Sequence, residues 1–208
     1  MKEIDLNNWD LAEQYNWFST YSNPFYGITT KLDVTNVYNF AKKNNISFYF
    51  CFGHLVNTAV RQIEEFNIRD VNGKLMVDNH KLVSFTCKNS NERKYRFVNV
   101  PYCDNVIEFC KIAKEIDMGQ TTLFSKNNLG DDFSVFLSCL PWINFTMVSN
   151  PQTNNTTDYI PRIVWDKYEE INNKKILNFG VEVNHAVVDG YAISKFVLKV
   201  SELINKLK

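Results

Sequence analysis

The residues of this sequence best suited to chemistry are His185, Asp189 and Gly190, which lie close to its carboxyl end. A histidine followed four and five residues later by Asp and Gly can act as a general base that removes a proton from an acceptor group. Imidazole suits this role because its unperturbed pKa of about 6.5 lies near working pH. The same pattern also fits a core histidine whose ring nitrogens are satisfied by backbone groups, with Asp189 serving only as a helix N-cap.

The segments on either side of His185 predict a strand before it and a helix after it. Alternating apolar residues with the period of a strand that buries one face precede it: Leu177, Phe179, Val181 and Val183. Apolar residues at helical spacing follow Gly190: Ile193, Phe196, Val197, Val200, Leu203, Ile204 and Leu207. We therefore expect His185 at the end of a strand, on its core side, held by rigid structure on both sides.

The composition favours one domain over residues 1–208 and argues against nucleic acid as a partner. The chain has 23 basic and 23 acidic residues, and no basic run or stripe stands out. Aromatic residues make up 14% of it, which suits a large core, an apolar pocket or a subunit interface.

The cysteines and the first residues predict a cytoplasmic protein with free thiols. The five cysteines are odd in number and show no CxxC spacing, and the sequence begins with polar residues rather than a signal-peptide pattern. No apolar stretch has the length of a membrane span, so we expect no membrane partner. Three scattered histidines without a ligand cluster predict that no metal is bound.

The rest of the chain predicts an α/β (α+β) two-layer sandwich, in which a mixed β-sheet is covered by helices. We expect a short first strand and a helix over residues 5–18. Further helices are expected over residues 33–43 (with Asp33 as N-cap), 47–66 and 104–116. Strands are expected over residues 26–32, 82–86, 95–100, 133–139 and 142–148, with a hairpin at Asn72-Gly73. The helix over 47–66 has the longest apolar pattern and should be the main buried helix.

Several segments in a fixed order resemble the chloramphenicol acetyltransferases and related O-acetyltransferases almost from end to end. They are the Trp9 helix, Lys31-Leu32-Asp33, Phe48-Tyr49, Phe66-Asn67-Ile68-Arg69 with Gly73-Lys74-Leu75, Leu140-Pro141-Trp142-Ile143-Asn144-Phe145, Lys167-Tyr168, and Asn184 to Gly190. Dihydrolipoyl acyltransferases and larger plant-type acyltransferases share the histidine motif. Chain length and the Pro-Trp segment favour the first family.

The resemblance implies a chloramphenicol-acetyltransferase-like, CoA-dependent acyltransferase fold and a cytoplasmic homotrimer with active sites between subunits. It further implies direct transfer from acetyl-CoA, as co-substrate, to a hydroxyl of a small molecule such as chloramphenicol, and with it antibiotic resistance. His185 would be the general base, and Asp189 would hold the turn that orients it.

The resemblance also implies the binding residues. Lys167, Tyr168 and Tyr49 would lie on the coenzyme side, where a cation and an aromatic face suit a phosphorylated adenosine. An ordinary surface Lys-Tyr pair fits Lys167 and Tyr168 equally well. The acceptor wall would comprise Trp17, Phe18 and Tyr26, although aromatic residues in a first helix are more often plain core.

Four positions depart from the family pattern. The family has an arginine at Leu11, a serine that hydrogen-bonds the tetrahedral intermediate at Met147, a threonine at Val164 and a lysine at Ser47. Thr146 should not replace the serine, because a strand would turn it to the opposite face.

These departures keep alternatives to the acetyltransferase open. The enzyme could act on another acceptor or act slowly, and the base would be the same for an N-acetyl or longer-chain acyl transferase. A catalytically silent trimer that binds CoA or a small ligand is the alternative from another class. Retention of His185, Asp189 and Gly190 counts against it.

Overall fold

A computed structural model describes residues 1–78, 81–88, 93–124 and 133–207 of the chain. The strands within these residues are β1 (Lys2–Glu3), β2 (Phe25–Asp33), β3 (Ile68–Val71), β4 (Lys74–Val77), β5 (Leu82–Lys88), β6 (Tyr95–Pro101), β7 (Phe133–Leu140), β8 (Arg162–Asp166), β9 (Glu169–Ile171) and β10 (Lys174–Asn184). The α-helices are α1 (Ala12–Phe18), α2 (Thr35–Lys43), α3 (Phe48–Val60), α4 (Val106–Gly119) and α5 (Gly190–Lys206), and a 3₁₀ turn covers Glu64–Asn67.

The larger sheet is mixed, as the sequence predicts, and β10 lies inside it. Its strand order is β2-β10-β8-β7-β5-β6, and β9 pairs with the first residues of β10. The pairs β5–β7 and β7–β8 are parallel, whereas the other pairs are antiparallel. A small second sheet contains the predicted hairpin, in which Asn72 and Gly73 both have positive φ. The predicted fold class, a mixed sheet covered by helices, is confirmed.

Helix α3 is the main buried helix, as predicted, and it packs against α4, α5 and β7. Ten of its 13 residues are buried. Gly53 permits this packing, because a Cβ there would lie 2.3 Å from the Phe85 ring of β5.

Among the helices of the described residues, none combines the length and the apolar character of a membrane span.

Two predicted boundaries are wrong for local reasons. The helix expected over 47–66 ends at Val60, because the Asn67 carboxamide donates to the carbonyls of Val60 (2.7 Å) and Ile63 (2.8 Å) and so caps it. The N-cap position of α2 is Val34 rather than Asp33, although an Asp33 carboxylate oxygen accepts the Thr35 amide at 3.1 Å.

The strand expected over 142–148 is also wrong, because these residues form an irregular segment after β7. A buried side chain rather than a neighbouring strand binds the Phe145 amide: Asp166 Oδ2 accepts it at 3.1 Å. Apolar content alone therefore overstated the strand character of this segment.

Candidate active site

His185 is the first residue after β10, and its backbone is fixed from two directions. Its amide donates to the Pro24 carbonyl at 2.8 Å, next to the start of β2. Its carbonyl accepts the side-chain amide of Gln14, on α1, at 2.8 Å. The histidine thus lies where a strand, a helix and the lead into a second strand meet.

Two aromatic rings hold the imidazole of His185. The Phe18 ring is stacked on it, with centroids 4.0 Å apart and planes inclined by 8°, and the Tyr26 ring lies 4.4 Å away at 32°. The side chain is half-buried, and its Nδ1 is buried without a hydrogen-bond partner among the described residues. Ring packing rather than a hydrogen bond to Nδ1 therefore orients this imidazole.

His54 shows what a core histidine looks like in the same chain. It is 4% exposed, and its Nε2 lies 2.9 Å from the Cys103 carbonyl, which it binds as a donor. Burial lowers the pKa of His54, against the opposing effect of that carbonyl. Among the described residues no carbonyl binds the imidazole of His185, and the side chain is only half-buried, so its environment is unlike that of a structural core histidine.

Asp189 begins α5 and lies near Tyr26. One of its carboxylate oxygens accepts the Ala192 amide at 2.7 Å, so Asp189 is the N-cap of the helix. The Tyr26 hydroxyl is buried without a hydrogen bond in the described residues. Burial, with a smaller contribution from the Asp189 charge, raises the pKa of Tyr26 to about 12. Tyr26 therefore contacts the imidazole with its ring and experiences the field of the Asp189 carboxylate.

The structure brings two of the three predicted acceptor-wall residues to His185. Phe18 and Tyr26 flank the imidazole, as described above. Trp17 is 65% exposed, and its indole N–H donates to the Tyr21 hydroxyl at 2.9 Å. Trp17 and Phe18 are adjacent on α1, so their side chains project in different directions. Trp17 therefore pairs with Tyr21 rather than with the histidine.

Tyr168, predicted on the coenzyme side, lines a cavity of about 260 Å³. The lining residues are Tyr38, Ala41, Lys42, Asn45, Ile46, Phe48 and Tyr168. The Lys175 ammonium lies 5.0 Å from the Tyr38 ring and 5.6 Å from the Tyr168 ring, and the Lys42 ammonium lies 5.7 Å from the Tyr38 ring. Lys167 is exposed beside Tyr168. The cavity thus combines aromatic faces with cations.

Tyr49 does not lie with Tyr168 in this cavity. Its hydroxyl lies 2.9 Å from the Thr86 carbonyl and 3.3 Å from the Leu137 carbonyl, so it donates to neighbouring strands of the sheet. Burial raises its pKa well above the ordinary value. Strand carbonyls already use this hydroxyl, and the half-buried Tyr49 ring packs against the core residues Phe85 and Trp165.

Comparisons with known proteins decide the family. The family model described as chloramphenicol acetyltransferase matches residues 1–201. The chain belongs to the chloramphenicol acetyltransferase family. It is 25% identical to chloramphenicol acetyltransferase 3 of Escherichia coli over 99% of this chain and 98% of the relative. It is 26% identical to a chloramphenicol acetyltransferase of Campylobacter coli over 98% of both chains.

Solved structures agree with this family at the level of the fold. A chloramphenicol acetyltransferase structure superposes with a TM-score of 0.86 at 22% identity, covering 100% of this chain and 99% of that one. The truncated catalytic core of a 2-oxoacid dehydrogenase complex from Thermoplasma acidophilum gives 0.70 at 14% identity, covering 99% and 100%. Membership of the chloramphenicol acetyltransferase family makes this protein an acyltransferase.

The four departures from the chloramphenicol acetyltransferase pattern occupy distinct environments. Ser47 caps α3 by accepting the Phe50 amide at 3.4 Å, Val164 is buried in β8, and Leu11 is the residue before α1. Met147 is 78% exposed in the irregular segment after β7. Because that segment is not a strand, strand alternation does not turn Thr146 away from the side of Met147.

Sequence reasoning missed several residues of the site. Gln14 could have been found, because it precedes Phe18 by four residues on α1 and therefore shares its face. Tyr38, Lys42 and Lys175 carry no local signal, because the fold brings α2 and the start of β10 to Tyr168 from distant parts of the sequence.

Proposed function

We propose that this protein transfers the acetyl group of acetyl-CoA to a hydroxyl of a small molecule, with His185 as the general base. The observation that carries the proposal is the half-buried imidazole between Phe18 and Tyr26, whose Nδ1 is buried. Burial of Nδ1 leaves Nε2 as the nitrogen that can meet an acceptor. Such a base contributes about 10²- to 10⁴-fold to the rate.

The reaction has two stages in this proposal. Nε2 of neutral His185 takes the hydroxyl proton while the acceptor oxygen attacks the thioester carbonyl, so that a C–O bond forms and negative charge develops on the carbonyl oxygen. Collapse of this tetrahedral oxyanion breaks the C–S bond. The imidazolium returns the proton to the departing sulfur, and the acetyl ester and CoA thiol leave. Holding both substrates together supplies much of the remaining acceleration.

The cavity at Tyr168 supports the coenzyme assignment. Tyr38, Phe48 and Tyr168 offer aromatic faces for an adenine ring, and Lys42 on the cavity wall supplies positive charge for phosphates, with Lys167 exposed beside Tyr168. Lys175 lies against the same rings and already pairs with Glu170. The lysine that the family has at Ser47 is absent, and Lys42 at the cavity wall is the residue best placed to take over its charge.

The separation of the two regions supports a site shared between subunits. Lys175 lies at the start of β10 and His185 directly follows its end, ten residues later, which corresponds to roughly 33 Å. In a homotrimer with sites between subunits, His185 of one protomer would meet the coenzyme held by its neighbour. Exposed apolar residues suit such an interface: Trp17, Trp142, Ile143 and Met147.

The residues around His185 indicate the class of acceptor. Phe18 and Tyr26 present aromatic surface beside the imidazole, which favours a small apolar or partly aromatic alcohol. Chloramphenicol is the leading candidate, because the relatives from Escherichia coli and Campylobacter coli carry it in their names. Its acetylation would make this protein an antibiotic-resistance enzyme.

Thiol release from acetyl-CoA tests the proposal, with a panel of hydroxyl acceptors that includes chloramphenicol. We expect thiol release with at least one alcohol, none with its deoxy analogue, and a loss of about 10²- to 10⁴-fold in kcat for His185→Ala. His54→Gln is the matched control and should keep kcat, because His54 lies in the core. If His185→Ala leaves turnover unchanged, His185 is not the general base. Coenzyme binding without turnover on any acceptor would indicate a silent binder.

The oxyanion requires a donor, and Met147 cannot supply one. If the acceptor is chloramphenicol-like, Met147→Ser should raise kcat, by up to about 10²-fold for a well-placed hydroxyl. Met118→Ser changes an equally exposed methionine on α4 and should have no effect. An unchanged or lower rate for Met147→Ser would mean that another donor, such as a backbone amide, holds the oxyanion.

A further inference from the structure

Residues 144–158, which we call the strap, follow one face of β10 towards His185. Alternate residues of β10 lie under the strap, namely Asn178, Gly180, Glu182 and Asn184, while the apolar residues between them face the core. Three of these four residues have polar side chains, yet the face is largely buried because the strap covers it. Their burial therefore has to be explained by what they bind in the strap.

Asp166, at the end of β8, joins the first residues of the strap to β10. It is 2% exposed, and one carboxylate oxygen accepts the Asn178 amide at 2.8 Å. The other oxygen accepts the Asn178 side chain (2.6 Å), the Phe145 amide (3.1 Å) and the Asn144 side chain (3.4 Å). In the described residues Asp166 forms no ion pair, so these N–H groups alone compensate its buried charge.

Glu182 makes an equivalent connection further along β10. It is 8% exposed, and its carboxylate accepts the Asn150 amide at 3.0 Å, the Asn150 side chain at 3.5 Å and the Gln152 side chain. Beyond it, the Asn184 side chain donates to the carbonyls of Thr156 (2.8 Å) and Asp158 (3.3 Å). Asn184 directly precedes His185 in the chain, so the last connection fixes the backbone next to the proposed base.

Gly180 lets the middle of the strap approach the sheet between the two carboxylates. A Cβ at Gly180 would lie 2.5 Å from a Val148 methyl group and 3.7 Å from the Phe145 ring. Met147 is thus an exposed residue in a stretch that Asp166 anchors before it, that Val148 packs against Gly180, and that Glu182 anchors after it.

We propose that Asp166 and Glu182 are positioning residues, which anchor the strap on β10 and thereby keep the surface beside His185 in place for the transfer. This inference rests on the proposed function for its catalytic part. Each carboxylate uses both oxygens as acceptors. The isosteric amide therefore leaves at least one N–H of the strap or of β10 facing another donor.

Amide hydrogen exchange and kinetics of Asp166→Asn and Glu182→Gln test the proposal. We expect exchange over residues 144–152 to accelerate about tenfold or more, since each amide offers one acceptor oxygen where the carboxylate offers two, which weakens the hydrogen bonds of the Phe145 and Asn150 amides. Exchange over β5 and β6 should stay unchanged. With an accepted alcohol, kcat should fall about tenfold or more in both variants. The KM for acetyl-CoA should stay unchanged in Glu182→Gln, because Glu182 lies near the His185 end of β10 and the proposed coenzyme cavity lies at the other end.

Glu3→Gln is the matched control, because it makes the same change at an exposed carboxylate that pairs with Lys74. Gln152→Ala removes one Glu182 partner from outside the sheet and keeps the test decisive if Glu182→Gln fails to fold. Unchanged exchange over the strap overturns the proposal. Faster exchange with an unchanged kcat overturns the positioning role alone. Faster exchange in a protein whose wild type has no turnover contradicts the proposed function and leaves only the anchoring.

Discussion

The two ends of β10 are built from different chemistry. At the amino end, Lys174 pairs with Asp33 at 3.0 Å and Lys175 pairs with Glu170, and the cavity at Tyr168 opens beside them. At the carboxyl end, His185 lies between aromatic rings, and the Asp189 carboxylate caps α5. The amino end combines ion-paired lysines with aromatic faces, and the carboxyl end holds one imidazole in a fixed direction.

In the proposed function, this difference lets one strand serve two parts of a transfer reaction. A phosphorylated coenzyme is bound by charge and stacking, which tolerate small displacements of long lysine side chains. A base must be held within a fraction of an ångström, which packed rings at the junction of three elements achieve. Mutations at the two ends should therefore change different kinetic constants.

The largest effect on this comparison is expected from Phe18→Ala. Loss of the ring stacked at 4.0 Å frees the imidazole to rotate, so kcat should fall by about 10²-fold while the affinity for acetyl-CoA is unchanged. Phe18→Tyr keeps the ring and should retain most of the rate. Steady-state kinetics with varied coenzyme measures both constants. A raised KM for acetyl-CoA with a normal kcat would contradict the assignment of the base and the coenzyme to opposite ends of β10.

A smaller effect is expected from Tyr168→Ala at the other end. Loss of a stacking surface for adenine should raise the KM for acetyl-CoA about tenfold and leave kcat at saturation unchanged. Tyr168→Phe retains the aromatic face and should bind coenzyme normally. Calorimetric titration with CoA checks the same change without turnover. Equal affinity in Tyr168→Ala would exclude the cavity from coenzyme binding.

The smallest effect is expected at alkaline pH, where ionisation of the Tyr26 phenol lowers the free energy of unfolding. The folded chain keeps this phenol protonated to about pH 12, whereas the unfolded chain releases the proton near pH 10. Its stabilisation is therefore complete below pH 10 and is lost as the pH rises towards 12. Between pH 10 and about 11, wild type should lose at most about 1 kcal/mol more unfolding free energy than Tyr26→Phe. Urea unfolding measures this difference, and parallel losses would contradict a buried Tyr26 hydroxyl.

The sequence predicts the carboxyl end of β10 better than the amino end, because its signals are local. The alternation from Leu177 to Val183 and the helical spacing after Gly190 place His185 at an element boundary, which the structure confirms. Lys175 reaches Tyr168 and Tyr38 only after β10, β9 and α2 have come together. No pattern within a short window reports such an arrangement.

The strap marks the other limit of sequence reasoning. Period-two alternation predicts that only one face of β10 is buried, yet Gly180, Glu182 and Asn184 are buried as well. The cover over them comes from residues 144–158, whose first part was predicted as a strand on its apolar content. Hydrogen bonds to Asp166 and Glu182 rather than a strand partner fix this cover, and neither carboxylate has a sequence neighbour that reveals its role.

Turnover and coenzyme affinity, measured on one preparation of His185→Ala, test the proposed role of His185 most sharply. We expect a kcat lower by about 10²- to 10⁴-fold, together with an unchanged Kd for acetyl-CoA, because the proposed base and the proposed coenzyme cavity lie at opposite ends of β10. A variant that turns over as fast as wild type would contradict this role, and so would one that loses turnover only because it no longer binds the coenzyme.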